Sequence, residues 1–417
     1  MGTAQGSGRE DETRVGTGLV EGGPSGGRRQ KVAFFKRGLF SHCNLPMSMQ
    51  LRCVYPEYDL EIIDIHDELI RRRKLVIAIN LVLVIGRYWR QLLGRRQSLR
   101  QCFYRTPFIF RQIRKLARSM IEPRKDGYAF SFQTQSLYDC STPGLPHFIY
   151  SDHSHLANLM YPAFSRTELF PRDWIDLERE TYNRARHIFV MSEHVRRSLV
   201  DQYGCDPQRT ATVGGGSNVD PTPVPLQNDE YRNQTIVFVG VDWERKGGPT
   251  LIEAFQRVRT RFPNARLVII GTSPVVREPG IEILGRVPRE EVKARLARAS
   301  IFCMPTRIEP FGVAVVEAFF HELPVVATNI GAMPGLVCDG ENGRLVPPDD
   351  PQALAEALIE LLSDPEKCRR FGQAGRELVS KRYSWEIAVE RIRAFINEDL
   401  AADRAKESVR PEKLAAA

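Results

Sequence analysis

Two glutamates in the C-terminal third of the chain have a spacing that suits ligand binding. In the run EPFGVAVVE, Glu309 and Glu317 lie on either side of Pro310, Phe311, Gly312 and an apolar stretch. The glycine predicts a helix start with free N–H groups, where a phosphate can bind. Because a helix rises about 1.5 Å per residue, the carboxylates are about 12 Å apart, the scale of a nucleotide-sugar. They could accept hydrogen bonds from the sugar and the ribose. The alternative for Glu317, an exposed acid on the helix surface, is disfavoured by its apolar neighbours.

A second loop carries positive charge that such a ligand would need. In the run VGVDWERKGGPT, a predicted strand ends at Gly240, and Arg245 and Lys246 precede two glycines, a proline and a predicted helix. Glycine permits close backbone approach, proline suits the first helical position, and a helix N-terminus favours an anion. We therefore interpret the loop as a diphosphate clamp, although it lacks the GxxxxGK[ST] pattern of a P-loop. The open alternative is a solvated loop in which Glu244 and Arg245 pair with each other.

Both motifs follow predicted strands in a chain that alternates between strands and helices. Short apolar runs such as KVAFFK, GYAFSF, HFIY, TIVFV and SIFCM are separated by helical patterns, which predicts an α/β fold with parallel, doubly wound sheets. In such sheets ligands bind beyond the carboxyl ends of the strands. The Gly- and Pro-rich segment TVGGGSNVDPTPVPLQNDE marks a domain boundary. The predicted organisation is a disordered arm over 1–30, domains over 31–220 and 221–382, a crossing helix over 383–402 and a flexible tail over 403–417.

The net charge of +8 is concentrated in one segment. From Arg71 to Lys125 there are sixteen Lys or Arg residues and a single acid, Glu122. The segment is either a solvated basic face or a surface for an anionic partner such as phospholipid headgroups, a lipid phosphate or an acidic glycan. A nucleic-acid partner is not expected, because no helix-turn-helix, zinc-finger or RNA-binding signature accompanies the charge.

One apolar run bears on the cellular location. Leu75–Ile85 spans about eleven residues, whereas a transmembrane helix needs roughly twenty. The run is either a buried core helix or a helix in the membrane interface, with arginines on both flanks and Tyr88 and Trp89 at one end. The eight scattered cysteines form no CxxC pair, and the N-terminus lacks the apolar region of a secretory signal. We therefore expect a cytoplasmic protein, either free or peripheral on the cytoplasmic membrane face.

Several segments together resemble a known family. The runs FVGVDWERKGG, FCMPTRIEPFGVAVVEAF, PVVATNIGAMPGLVCDGENGRLVPPDDPQALAEAL and RYSWEIAVERI resemble the retaining GT-B glycosyltransferases of family 4, whose E-x7-E signature matches the two glutamates. The resemblance is strong over residues 232–400, weaker over 145–220 and vague over 35–140. It implies two Rossmann-like domains facing a cleft, the first binding the acceptor and the second binding the nucleotide-sugar, with the C-terminal helix crossing back to the first.

The resemblance also implies roles for individual residues. Glu309 would contact hydroxyls of the donor sugar, Glu317 those of the ribose, and Lys246 the diphosphate. The family usually carries an arginine where this chain has Val241, so Arg245 would supply the second cation. The complete set of expected donor-binding residues is Gly216, Asn218, Arg245, Lys246, Pro310, Phe311, Gly312, Val313 and Glu317.

A histidine is implied on the opposite wall. The family often has one at the end of the strand that corresponds to HFIYSDHSH, facing the donor sugar. His153 is the first candidate and His155 the second, and Asp152 could orient either ring. The alternative is that both are structural histidines in a loop.

The implied reaction moves a hexose from a UDP- or GDP-sugar to a hydroxyl of a glycan, a lipid-linked sugar or a small molecule. It retains the anomeric configuration, and its catalytic residues would be His153, Arg245, Lys246 and Glu309. No DxD motif is placed to hold a metal, so neither a metal nor another cofactor is expected. Two alternatives remain open: an epimerase or phosphorylase of the same fold, and a non-catalytic nucleotide-sugar-binding protein.

Overall fold

The computed structural model describes residues 29–38, 43–94, 97–217 and 230–414. For residues 407–414 it describes the backbone alone. These residues form two parallel six-stranded sheets with helices on both faces, which confirms the predicted pair of doubly wound domains. Residues 1–28 of the arm predicted over 1–30, the predicted domain boundary at 220 and Asn218 lie outside the described residues.

The first sheet has the strand order β2-β1-β3-β4-β5-β6. Its strands are β1 (Lys31–Lys36), β2 (Asp59–Asp64), β3 (Tyr128–Thr134), β4 (His147–Ser151), β5 (His187–Val190) and β6 (Thr210–Thr212). Its helices are α1 (Asn44–Val54), α2 (Ile65–Arg72), α3 (Lys74–Leu93), α4 (Leu99–Phe103), α5 (Pro107–Ile121), α6 (Arg172–Arg184) and α7 (Glu193–Asp201).

The second sheet has the strand order β12-β11-β10-β7-β8-β9. Its strands are β7 (Thr235–Val239), β8 (Arg266–Ile270), β9 (Ile281–Gly285), β10 (Ile301–Met304), β11 (Val325–Thr328) and β12 (Gly343–Val346). Its helices are α8 (Gly248–Arg261), α9 (Arg289–Leu296), α10 (Val313–Phe320), α11 (Met333–Leu336), α12 (Pro351–Ser363) and α13 (Pro365–Arg382). The edge strands β6 and β9 are not anticipated from the sequence, because each is short and only partly buried.

The central strands are almost continuously apolar because both faces of each sheet are covered by helices. In the first sheet, neighbouring strands stack their aromatic rings: the centroids of Phe34 and Phe132 are 5.9 Å apart, and those of Phe148 and Phe189 are 6.3 Å apart. This packing holds neighbouring strands in register, so the polar residues that follow the strands lie along one edge of the sheet.

The last helix, α14 (Trp385–Leu414), crosses back to the first domain as predicted. The His187 ring Nδ1 lies 2.9 Å from the carboxylate of Asp399, and the Arg391 guanidinium donates a 3.0 Å hydrogen bond to the Val213 carbonyl. The helix continues beyond the predicted end at 402, through a segment rich in Ala, Arg, Lys and Glu, residues that favour helix.

Helix α3 is anchored to the first domain along one side. It is 20 residues long, so it extends well past the apolar run seen in the sequence. The Asn80 side-chain amide donates a 2.8 Å hydrogen bond to the Phe103 carbonyl, and the Tyr88 hydroxyl donates one of 2.6 Å to the Arg105 carbonyl. Within the described ranges, α3 is the one helix whose length and apolar composition would suffice to cross a membrane.

The opposite side of α3 is apolar and exposed. At about 100° per residue, its large apolar side chains that are exposed fall on one face of the helix. They are Leu75, Ile79, Val82, Leu83, Ile85, Trp89 and Leu93, and the exposed fractions of Leu75 and Leu93 are 73% and 77%. The alternative of a buried core helix is therefore wrong.

Candidate active site

A cavity of about 1070 Å³ lies between the carboxyl ends of the two sheets. The first domain lines it with residues that follow β3 and β4, and the second with residues that follow β7, β8, β9 and β10. The two domains also touch beside the cavity, where the Ser192 hydroxyl donates a 2.6 Å hydrogen bond to the Pro310 carbonyl. This is the edge at which parallel sheets bind ligands.

Lys246 and Glu309 form a buried ion pair in this cavity. Lys246 lies between β7 and α8, Glu309 lies between β10 and α10, and the ammonium contacts one carboxylate oxygen. Their side chains are only 12% and 8% exposed. Burial lowers the pKa of Lys246, although the negative charge of Glu309 acts in the opposite direction. For Glu309, burial acts to raise the pKa, but the positive charges of Lys246 and Arg245 outweigh burial, so the pKa is lowered. Glu309 is therefore an ionised acceptor at neutral pH.

Arg245 connects the two loops that carry this pair. Its guanidinium donates a 2.8 Å hydrogen bond to the Ile308 carbonyl and a 3.3 Å hydrogen bond to the Asp242 carboxylate. Asp242, rather than the predicted alternative Glu244, is thus its acidic partner. Arg245 also lines the cavity, so contacts within the protein hold its guanidinium at the cavity wall.

The start of α10 requires glycine. Gly312 has a φ of 103°, and a Cβ atom there would lie 2.4 Å from the terminal carbon of Met333. The described residues provide no side-chain cap for this helix start, so its first N–H groups are available to a ligand. Phe311 packs its ring against Tyr383 at 5.9 Å and does not line the cavity, which leaves its backbone as the part that could approach a ligand.

Glu317 lies on α10 and lines the cavity together with Pro310 and Val313. It is 9% exposed, so the alternative of an acid on the solvent-exposed helix surface is wrong. The two glutamates of the E-x7-E run therefore share one cavity, with the α10 start between them.

The structure separates the two candidate histidines. The His155 Nε2 atom accepts a 2.9 Å hydrogen bond from the Phe170 amide, and its ring packs 5.4 Å from that of Trp174. His155 is therefore held in place as a structural residue, and burial lowers its pKa to about 3. The Nδ1 atom of His153 has no hydrogen-bond partner among the described residues. Burial lowers the pKa of His153 to about 4, so it offers a neutral imidazole to the cavity, which Asp152 also lines.

Gly216, a predicted donor contact, and Val241, where an arginine is usual, lie in different surroundings. A Cβ atom on Gly216 would lie 2.6 Å from the Trp385 backbone nitrogen, so this glycine packs against the start of α14 and does not line the cavity. Val241, at the position where the family usually has arginine, is 65% exposed and lines the cavity beside Gly240.

Sequence reasoning misses several residues that line the same cavity. They are Arg105, Asn158, Trp174, Glu178 and Arg286. Arg105, Trp174 and Glu178 come from segments of the first domain that match no motif, whereas Asn158 follows the two candidate histidines in the same run. Arg286 directly follows β9, and only a prediction of that strand could have indicated it.

Comparison with known proteins agrees with this architecture. Residues 227–378 match the family described as Glycosyl transferases group 1. Phosphatidyl-myo-inositol mannosyltransferase of Mycobacterium tuberculosis is 31% identical over 236 residues, which cover 53% of this chain and 61% of the relative. The chain thus spans less than two thirds of the length of this curated relative.

Two solved structures share the fold across both domains. Sucrose-phosphate synthase from Thermosynechococcus elongatus superposes with a TM-score of 0.61 at 17% identity, covering 89% of this chain and 100% of that one. Anabaena HepE in complex with UDP and glucose superposes with a TM-score of 0.60 at 15% identity, covering 88% and 99%. The chain thus shares the two-domain Rossmann-like (GT-B) fold of these structures, and its residues 227–378 match the family Glycosyl transferases group 1.

Proposed function

We propose that the chain is a retaining glycosyltransferase of family 4. It moves a hexose from a UDP- or GDP-sugar to a hydroxyl of a glycan, a lipid-linked sugar or a small molecule. The observation that carries this proposal is the buried Lys246–Glu309 pair at the start of α10, in a cavity that also holds Glu317 and, from the other domain, His153. In this proposal Glu309 binds the sugar, Lys246, Arg245 and the N–H groups at the start of α10 bind the diphosphate, and Glu317 binds the ribose.

In this reaction the bond between the sugar C1 atom and the diphosphate oxygen breaks. The acceptor oxygen bonds to C1 on the same face, and its proton passes to the leaving diphosphate oxygen. Negative charge develops on the leaving group, where Arg245, Lys246 and the α10 N–H groups stabilise it. Glu309 accepts hydrogen bonds from the sugar hydroxyls, and the neutral His153 imidazole contacts the sugar from the first domain. The protein's own cations face the diphosphate, so we expect activity without a metal ion.

A donor panel tests this proposal. The full chain is incubated with UDP-, GDP- and ADP-hexoses, with and without lipid-linked and soluble acceptors, and release of the nucleoside diphosphate is measured before and after addition of EDTA. We expect one nucleotide to support release that depends on an acceptor and persists in EDTA. Retention is checked by NMR of the anomeric proton of the product.

The same panel decides between the alternatives. Conversion of the donor's sugar without an acceptor would indicate an epimerase. Tight binding of a nucleoside diphosphate with neither hydrolysis nor transfer from any donor would indicate a non-catalytic binding protein. Loss of activity in EDTA that added Mg²⁺ restores would contradict the proposed independence from metal.

We further propose that the exposed face of α3 rests on an anionic phospholipid surface at the cytoplasmic side of a membrane. The face is apolar, and the segment from Arg71 to Lys125 around it carries sixteen basic residues and one acid. Apolar side chains inserted among headgroups, with cations beside them, bind such surfaces. The mycobacterial relative, named for a phosphatidylinositol substrate, supports a lipid-facing role.

Vesicle flotation tests the α3 surface. The wild-type chain should float with phosphatidylglycerol vesicles and much less with phosphatidylcholine vesicles. The double variant Leu75→Ser with Val82→Ser should lose this binding, whereas Val275→Ser, which alters an exposed apolar residue of the second domain, should keep it. Equal flotation of both variants would contradict the proposal.

A further inference from the structure

The first-domain wall of the cavity contains two buried N–H donors without an acceptor. They are the Nε atom of Arg105 and the indole Nε1 atom of Trp174, neither of which has a hydrogen-bond partner among the described residues. Trp174 is fully buried, and both residues line the cavity. Buried donors of this kind are rarely left unsatisfied in native proteins, so this pair indicates a ligand atom that accepts hydrogen bonds.

The Arg105 guanidinium carries a charge that no neighbouring carboxylate pairs with. It lies 4.3 Å from the ring centroid of Phe170 and 5.4 Å from that of Trp174, and one of its terminal nitrogens donates to the Gln101 carbonyl. Over the described ranges it forms no ion pair within 4.0 Å. The two rings thus lie against the guanidinium, and its buried Nε atom keeps a hydrogen that no described residue accepts.

Glu178 is the nearby acid, and its oxygens are already engaged. One oxygen accepts a 2.7 Å hydrogen bond from the Ser136 hydroxyl, and the other accepts one from the Tyr203 hydroxyl. Burial raises the pKa of Glu178 in spite of these bonds, so it bears its negative charge less readily than an exposed glutamate. The local balance at Arg105 therefore favours an anion.

This site also lies where two cavities meet. A second cavity of about 900 Å³ shares Arg105, Gln101 and Asn158 with the main one and extends to Arg90 and Gly94 at the end of α3. A group bound at Arg105 is thus near the donor cavity on one side and near the exposed α3 face on the other.

We propose that Arg105 and the Trp174 indole N–H bind a phosphate group of the acceptor, which makes the acceptor a phosphate-bearing molecule. The proposal rests on the proposed glycosyl transfer and adds the chemical class of the acceptor. Arginine suits the role because its planar fork donates several parallel hydrogen bonds to phosphate oxygens. The phosphate comes either from a phospholipid headgroup, reached along α3, or from a soluble phosphorylated acceptor.

Binding of inorganic phosphate to the full chain tests the site. Equilibrium dialysis is done with saturating UDP and with saturating GDP, so that the donor side is filled. We expect the wild-type chain to bind phosphate with a dissociation constant of about 1 mM or below. Arg105→Met should weaken binding about tenfold or more, and Trp174→Phe, which keeps a ring and removes the N–H, should weaken it several-fold.

The matched control is Arg111→Met, which removes the same charge from an exposed position on α5. It should bind phosphate as the wild type does. Phosphate binding that is absent from the wild type, or unchanged in both Arg105→Met and Trp174→Phe, would overturn the proposal and leave Arg105 as a support for the aromatic rings. Circular dichroism shows whether Arg105→Met folds. If it does not, the proposal is tested by phosphate binding to Trp174→Phe and to Arg105→Lys, which keeps the charge but loses the planar fork.

Two further arms identify the source of the phosphate. Competition by phosphatidylinositol vesicles, but not by glycerol phosphate, would indicate a lipid headgroup, and the reverse would indicate a soluble acceptor. Binding of the nucleoside diphosphate is measured in each variant, and it should be unchanged. A variant that no longer binds phosphate but still binds the nucleoside diphosphate shows that the phosphate site is separate from the donor site. If the wild type does not bind any nucleoside diphosphate, that result counts against the proposed function and not against the phosphate site.

Discussion

The two walls of the cleft differ in whether their polar groups have partners within the protein. On the second-domain wall, two cations are paired within the protein: Lys246 with Glu309, and Arg245 with Asp242. On the first-domain wall, three buried nitrogens have no partner among the described residues; they belong to Arg105, His153 and Trp174. A self-paired wall is preorganised and needs little rearrangement to receive a donor, whereas a wall with unused donors is completed by its ligand.

The walls also differ in how their domains should respond to acid. Five described histidines have a pKa lowered by burial to about 4 or below: His147, His153, His155, His194 and His321. Four of them belong to the first domain and only His321 to the second. The first domain therefore carries most of the buried neutral imidazole, and the comparison can be tested by titration.

The largest expected effect is acid unfolding that begins in the first domain. Between pH 6.5 and about 4, the unfolded chain binds protons on these imidazoles that the folded chain does not, so stability falls as the pH falls through this window. His147, only 2% exposed, accounts for about 3 kcal/mol. With 5-fluorotryptophan, the ¹⁹F signal of Trp174 should collapse at a higher pH than that of Trp243.

His147→Gln gives this prediction its control. The variant cannot take up the proton, so the Trp174 signal should persist to lower pH, whereas the midpoint for Trp243 should not move. Simultaneous loss of both signals in the wild type would show that the two domains unfold as one unit in acid.

The next effect concerns the paired wall. Glu309→Gln keeps the shape of the side chain but removes its charge, so kcat should fall by about 10²–10³-fold. It also leaves Lys246 buried without its partner, which should cost about 3 kcal/mol in the free energy of unfolding. Urea unfolding and a single-turnover assay measure the two effects separately.

The double variant Glu309→Gln with Lys246→Met separates stability from function. It should recover most of the lost stability and none of the activity, because both charges are gone. Glu366→Gln, on the exposed first turn of α13, should change neither quantity. An active Glu309→Gln variant would remove this residue from the donor site.

A smaller effect is expected at the start of α10. Gly312→Ala places a Cβ atom against Met333 at a positive φ, so it should lower the free energy of unfolding by about 2 kcal/mol and raise the KM for the donor. Gly335→Ala is the control, since no atom lies within 4 Å of the Cβ position there. Equal KM values in the two variants would show that the α10 start does not contact the donor.

The smallest effect is expected where the walls touch. Ser192→Ala removes the hydroxyl that caps α7 and bridges to the Pro310 carbonyl, so it should cost about 1 kcal/mol. Small-angle scattering should show a slightly larger radius of gyration if this bond holds the cleft closed. An unchanged radius would assign the hydroxyl to helix capping alone.

Local motifs explain why the second-domain wall could be predicted. Lys246 and Glu309 lie in the short loops between a strand and the next helix, and Glu317 lies within the first two turns of α10, so local chain geometry sets their direction. The glycine at 312 and the residues around it likewise encode the α10 start. Asp242 as the partner of Arg245 is a detail that only the folded loop reveals, because Glu244 is adjacent in sequence and equally acidic.

The first-domain wall could not be predicted in the same way. Arg105, Asn158 and Trp174 come from three separate segments, and no spacing rule connects them. His153 and His155 look alike in sequence, and only the hydrogen bond from the Phe170 amide separates them. The contact of Gly216 with Trp385, in a helix that follows it by more than 160 residues, also has no local signal in the sequence.

The sequence by itself determined the two doubly wound domains and the loops that carry Arg245, Lys246 and Glu309, because strand periodicity, helix starts and strand-to-helix loops are local properties of the chain. The crossing of the last helix was implied only by the family resemblance. Only the tertiary structure decided which of the two cavity-lining histidines keeps a nitrogen without a partner among the described residues, that α3 turns an apolar face outward, and that Arg105 and Trp174 place unused donors in one site. These features depend on which distant segments pack together, and burial acts on a side chain only after that packing has formed.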